Sequence, residues 1–310
     1  MDKTKRKKRR KTVLIIILCV LLVLGIGGYK LYQTGMSGNG PLAALLYLQS
    51  PIALTDTQYE VEVSTLELEN DGQTIIGTLF LPKDGRNTRE VLIFSHGFNC
   101  QSQLLANKAT SLAQSGIATV TFDFRGGSLR GQSEGEMTDM TYLTEISDLN
   151  CVIETVKGFD WVDPDKIFLM GESQGGLITA LTASQRDDIS SIVLCFPALH
   201  VADTARSFWS SKDQIPETVD VNGATTGRAY WEAFYDLDVY EEITKYPGNV
   251  LLLHGTADQM VPYTYSVKAN ELYENSRLVI IEGAGHGFGG DDGASSLKTI
   301  YYYLQQEITR

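Results

Sequence analysis

Five residues, Gly171-Glu172-Ser173-Gln174-Gly175, carry the clearest chemical pattern in the sequence. The apolar run Ile167-Phe168-Leu169-Met170 leads in, and Gly176-Leu177-Ile178-Thr179-Ala180 leads out. A strand that turns sharply into a helix around G-x-S-x-G lifts the serine Oγ clear of the sheet as a nucleophile. Glycines remove Cβ atoms where strand and helix meet, and the helix N-terminus favours a developing negative charge. The alternative is a serine that merely caps a helix. A nucleophilic serine needs a base, and the base needs an orienting group. The four histidines are His96, His200, His254 and His286. His286 lies in Gly283-Ala284-Gly285-His286-Gly287-Phe288, just past the last strand-like run, where open parallel sheets present reactive groups. Asp258, in His254-Gly255-Thr256-Ala257-Asp258, follows the preceding run. Ser173, Asp258 and His286 therefore form the candidate catalytic triad. Two N–H donors must hold the oxyanion: the residue after the serine, Gln174, and Phe98 from Ser95-His96-Gly97-Phe98-Asn99. His96 and His254, each at a strand end before a glycine, are expected to shape loops. His200 falls in an insertion.

Three groups on three loops require a sheet beneath them. Residues 59–69 alternate in hydropathy, and Asn70-Asp71-Gly72 separates them from a second strand over 73–81. This predicts an antiparallel hairpin. Short runs rich in Val, Ile, Leu and Phe then recur at 91–95, 117–122, 167–170, 192–196, 250–253 and 278–281. Helical periodicity lies between them, over 103–114, 142–156, 176–185, 266–273 and 295–306. Strands alternating with helices predict an α/β fold: a mostly parallel, eight-stranded sheet with helices on both faces. Residues 197–248 are too long for a simple crossover. Their aromatic residues (Phe208, Trp209, Tyr230, Trp231, Phe234, Tyr235, Tyr240) predict a helical insertion that covers something rather than a loop.

Among the 310 residues 26 are basic and 38 acidic, for a net charge of −12. Residues 1–11 hold eight Lys or Arg against one Asp, a local +7 that leaves −19 for the remainder. So acidic a remainder would repel phosphate and argues against a nucleic-acid partner. After the basic flank comes Val13-Leu14-Ile15-Ile16-Ile17-Leu18-Cys19-Val20-Leu21-Leu22-Val23-Leu24-Gly25-Ile26. With the residues after it this run approaches the roughly 20 needed to span a bilayer. The expected organisation is a cytoplasmic flank over 1–11, a transmembrane signal anchor over 12–32, a connector over 33–58 and a hydrolase domain over 59–310. The positive flank places the domain outside the cell membrane. The alternative is a cleaved signal peptide and a secreted domain. Cys100, Cys151 and Cys195 allow at most one disulfide in such a domain, and Cys195 in its apolar run is expected to be core. No Cys/His spacing suits zinc, and no glycine-rich loop opens a βαβ unit, so neither metal nor other cofactor is expected.

With these pieces in place, residues 60–308 resemble the α/β-hydrolase superfamily. His96-Gly97-Phe98, Asp123-Phe124-Arg125-Gly126-Gly127, Gly131-Gln132-Ser133-Glu134-Gly135 and His254-Gly255-Thr256-Ala257-Asp258 look like bacterial cinnamoyl/feruloyl esterases. They also resemble serine aminopeptidase-like (S33) proteins and monoacylglycerol lipases. The resemblance implies the same triad and oxyanion donors, Ser173, Asp258 and His286 with Phe98 and Gln174, and a small inserted lid over about 198–246. The stretch 125–133 is longer than the usual R-G-x-G-x-S loop. The expected activity is ester cleavage on a small-molecule substrate through an acyl-enzyme. The alternatives on the same triad are an aminopeptidase, using a lid carboxylate among Glu232, Asp236, Asp238, Glu241 and Glu242, and a monoacylglycerol-type lipase.

Overall fold

The computed structural model describes residues 50–310. The basic flank, the expected membrane span and residues 33–49 of the connector lie outside the described residues. Among the described residues no helix is long and apolar enough to cross a membrane. Residues 50–58 lie against the domain: Ile52 N donates to Ser111 Oγ at 2.9 Å, and Leu54 is buried.

The chain opens with β1 (Val61–Asn70) and β2 (Gln73–Pro82), paired antiparallel. Asp71 and Gly72 both take positive φ (51° and 75°), the two-residue turn whose twist matches that of the strands. There follow β3 (Arg89–Ser95), α1 (Ala106–Gln114), β4 (Ala118–Phe122), α2 (Tyr142–Lys157), β5 (Val162–Glu172), α3 (Gln174–Ala183) and β6 (Ser191–Cys195). Beyond an insertion come β9 (Asn249–Gly255), α7 (Thr264–Leu272), β10 (Ser276–Ile281) and α8 (Gly290–Ile308). Eight strands form one sheet in the order β1-β2-β4-β3-β5-β6-β9-β10. From β4 to β10 every pairing is parallel, and β2 runs antiparallel to both its neighbours.

Because side chains alternate across a strand, each central strand feeds two cores. Val91, Ile93, Ile167, Leu169, Ile192, Leu194, Val250 and Leu252 pack on the face carrying α2 and α3. Leu92, Phe94, Phe168, Met170, Val193, Cys195, Leu251 and Leu253 pack against α1 and α8 on the other. Cys195 is thus a core side chain, as its neighbours in sequence predict. Helix α3 is buried all round at the centre of the molecule, so it needs no polar face.

The insertion differs from the helical lid expected. It contains α4 (Val201–Phe208), a hairpin of β7 (Thr218–Val221) and β8 (Ala224–Gly227), then α5 (Arg228–Tyr235) and α6 (Val239–Ile243). The hairpin forms because Asn222 and Gly223 both adopt positive φ, 54° and 84°, in a two-residue turn.

Candidate active site

Ser173 stands between β5 and α3 with φ 54° and ψ −118°, a backbone state that costs on the order of 1–3 kcal/mol for a residue bearing a Cβ. The surroundings hold it there. Its N–H donates to the Cys195 carbonyl at 3.0 Å, and its own carbonyl accepts from the amides of Gly176, Leu177 and Ala198. The flanking glycines are required by close approach. A Cβ on Gly175 would overlap the His96 and Ser95 carbonyls, and one on Gly171 would overlap the Gly175 backbone. The result projects Ser173 Oγ from the carboxyl edge of the sheet, where the loops after β9 and β10 converge.

His286, on the loop after β10, has Nε2 3.0 Å from Ser173 Oγ and Nδ1 2.7 Å from Asp258 Oδ2. An ionised Asp258 only accepts, so Nδ1 carries the proton and Nε2 is free to accept from the serine hydroxyl. Phe196 packs edge-on to the imidazole at 4.6 Å. Asp258 is buried, which raises a carboxyl pKa, but hydrogen bonds from His254, His286 and the Val261 amide outweigh burial and hold it well below the carboxylate range. Its Oδ1 accepts the amides of Met260 and Val261, each at 2.9 Å. The fully buried His254 lies with Nε2 3.2 Å from Asp258 Oδ2 and 3.0 Å from the Val261 carbonyl, while Nδ1 meets Ser266 Oγ at 2.7 Å. His254 fixes the loop that presents Asp258.

The two expected oxyanion donors face the same space. Gln174 opens α3, so its N–H has no carbonyl within the helix to donate to. Among the described residues the Phe98 N–H has no hydrogen-bond partner, although the amides of Asn99 and Cys100 beside it are both taken. His96 shapes this loop: Nδ1 bonds the Gly97 carbonyl at 2.8 Å, Nε2 accepts from the Phe124 amide at 3.1 Å, and burial pushes its pKa down. The long stretch after Arg125 supports the loop without entering the site. Gly127 O accepts from Asn99 N and Asn99 Oδ1 from Leu129 N, while Asp123 ties Ser102 and Gln132 together.

A cavity of about 420 Å³ opens above Ser173 and His286. Gly97, Phe98, Phe196 and Met260 wall it from the body; Phe208, Val219, Val221, Tyr230 and Trp231 wall it from the insertion. His200 also lines it, lying edge-on to the Tyr265 ring at 5.9 Å; burial and the nearby His286 both lower its pKa. None of Glu232, Asp236, Asp238, Glu241 and Glu242 lines the cavity. Glu232 stands 3.8 Å from Arg228, Asp236 pairs with Lys212, Asp238 caps α6 and Glu242 pairs with Lys245. Two groups escape the sequence reading. Glu145, buried on α2, meets the Gln174 side chain at 2.7 Å. Lys108, buried on α1, pairs with Glu172 beside the serine. Neither has a motif to betray it, since each is a charged residue on a helix that the sequence leaves free to face water.

The model of the prolyl oligopeptidase family matches residues 103–310. The chain belongs to this family. The match takes in Ser173, Asp258 and His286, and it places this prolyl oligopeptidase-family chain within the α/β-hydrolase superfamily that the motifs resemble. The solved structure of Est1E from Butyrivibrio proteoclasticus with ferulic acid bound is 27% identical, with a TM-score of 0.73, over 79% of this chain and 100% of that one. The α/β hydrolase GrgF from Penicillium sp. sh18, at 20% identity and TM-score 0.65 over 80% and 100% of the two chains, shares the fold. Among relatives in sequence, α/β hydrolase domain-containing protein 17C of Mus musculus is 25% identical across 80% of this chain and 70% of its own length. A 31.7 kDa protein of the traX-finO intergenic region of Escherichia coli is 30% identical over 119 residues, which are 38% of this chain and 41% of that protein. The chain thus spans about two fifths of that relative's length.

Proposed function

We propose that the chain is a serine esterase that cleaves small carboxylic esters through Ser173, His286 and Asp258. The carrying observation is the unbroken hydrogen-bonded line from Ser173 Oγ through His286 to Asp258, opening onto a cavity walled largely by apolar side chains. In the first step His286 Nε2 takes the hydroxyl proton while Ser173 Oγ attacks the ester carbonyl carbon. The Phe98 and Gln174 amides hold the oxyanion, and Asp258 stabilises the imidazolium. The imidazolium then protonates the leaving alkoxide, and water repeats the sequence on the acyl-enzyme. No cofactor enters the reaction. Est1E, with ferulic acid bound, makes hydroxycinnamoyl esters the first substrate class to test.

Membership of a family named for oligopeptide cleavage favours a second reading, a serine peptidase on the same triad. An aminopeptidase would need an unpaired carboxylate facing the cavity. Of the lining carboxylates Glu172 is paired with Lys108, whereas Asp220, at the exposed hairpin tip, accepts only the Gly223 amide and is the carboxylate a peptidase reading could use. Because the cavity wall is largely apolar, we expect the full chain to turn over p-nitrophenyl acyl esters and methyl hydroxycinnamates faster than aminoacyl or prolyl β-naphthylamides. Ser173→Ala should lower ester turnover by about 10⁴-fold or more. Full activity in that variant would sink the triad, and a preference for the amides would transfer the assignment to the peptidase reading. For localisation we propose that residues 12–32 anchor the protein with its hydrolase domain outside the cell. Protection of the domain from external protease in intact cells would overturn that.

A further inference from the structure

The side chain of Gln174 is held at both ends. Its Nε2 donates to Glu145 Oε2 at 2.7 Å, and its Oε1 accepts from the Tyr230 hydroxyl at 2.7 Å. All three residues are buried. They come from three separate elements: Glu145 from α2, Gln174 from the start of α3 and Tyr230 from α5 of the insertion. Tyr230 also sets its ring against that of Phe98, with centroids 6.1 Å apart. One lid side chain therefore touches both residues whose amides face the reacting carbonyl.

The chemistry of Glu145 is unusual for its place. No Lys or Arg is among the groups that act on it. Those groups are the amide of Gln174 and, on its own helix, Asp148, which pairs with Arg125 while burial raises its own pKa. The ionisable group facing it from the insertion is Tyr230, which burial keeps protonated. A buried carboxyl without a counter-ion takes its neutral form. Burial and Asp148 raise it to about 8, against the lowering effect of the Gln174 hydrogen bond. The neutral acid accepts the Gln174 N–H on its carbonyl oxygen and leaves the oxyanion site free of negative charge.

We propose that Glu145 is a positioning residue for the oxyanion hole: neutral, it locks Gln174 and through it Tyr230; ionised, it sets a negative charge behind the hole and opposes the oxyanion. This rests on the reading of Gln174 as an oxyanion donor. It gives the enzyme an alkaline limit that neither the serine nor the histidine supplies.

The test is the pH profile of kcat for the full chain, measured from pH 6 to 9.5 on a p-nitrophenyl ester with the uncatalysed rate subtracted. Wild type should lose about tenfold or more through an alkaline limb centred near 8, the size expected when an oxyanion site is electrostatically compromised. Glu145→Gln keeps the shape and the hydrogen bond but cannot ionise, so its profile should lack that limb. Tyr230→Phe should lower kcat several-fold at every pH and retain the limb, because Glu145 is still present. A merely structural role would change stability and leave the shape of the profile alone. Persistence of the limb in Glu145→Gln, or its absence in wild type, overturns this inference while leaving the esterase reading intact. Absence of wild-type turnover overturns both.

Discussion

At the residue scale, the site is governed by which charges are buried with a partner and which without. Asp258 receives two histidines and two backbone amides, so it stays an anion and holds His286 in the tautomer that can accept a proton. Glu145 receives one neutral amide side chain and stays an acid. The difference has a thermodynamic signature. The folded-state pKa of Glu145 lies above its ordinary 4.5, so the stability it contributes is fully present below pH 4.5 and is lost as pH rises towards 8. Glu145→Gln is free of this loss. The unfolding free energy of the variant relative to wild type should rise with pH by up to about 1.4 kcal/mol per unit between those limits and level off above them. Urea unfolding at pH 5, 7 and 9 measures this, and a gap that does not change with pH would refute it. Ser173, Asp258 and His286 are legible in the sequence because each sits in a glycine-rich loop just past an apolar strand run. Glu145 is not, because nothing in Tyr142-Leu143-Thr144-Glu145-Ile146 says which way that residue faces.

At the element scale, the central strands and their flanking helices follow from hydropathy alone, because a strand buried on both faces reads as an uninterrupted apolar run. The insertion follows a different logic. Strands β7 and β8 are four residues each, too short to announce themselves amid so many aromatic residues. The available signal was local, Asn222-Gly223, a pair suited to two successive positive φ angles. Val219 and Val221 from this hairpin line the cavity above Ser173, so in the proposed esterase its placement bears on binding more than on chemistry. Gly223→Val puts a β-branched residue at φ 84° with open space around it, so the cost is backbone strain rather than collision. We expect KM for long or aromatic acyl esters to rise about three- to tenfold, with kcat for an acetyl ester within about twofold of wild type. Equal loss on both substrates would mean that the hairpin is coupled to the catalytic groups instead.

At the scale of the whole molecule, the buried Lys108–Glu172 pair joins α1 to the residue before the nucleophile. Removing one partner of a buried pair strands the other charge, so Lys108→Met should cost about 3–5 kcal/mol. Adding Glu172→Gln should restore much of that, a non-additivity that denaturant unfolding of the single and double variants would reveal. Sequence by itself determined the order of the eight main-sheet strands and their flanking helices, and the loops that bear Ser173, Asp258 and His286, since these depend on local hydropathy and on glycines at sharp turns. The division of charge between a basic start and an acidic remainder was legible there too, because it is a property of composition. Only the tertiary structure decided which polar side chains are buried and what they meet. Tyr230 and Glu145 are 85 positions apart in sequence, yet they grip one glutamine from opposite sides because α2, α3 and α5 pack together. Burial and partnership set a carboxyl group's charge, and neither exists until the elements have docked.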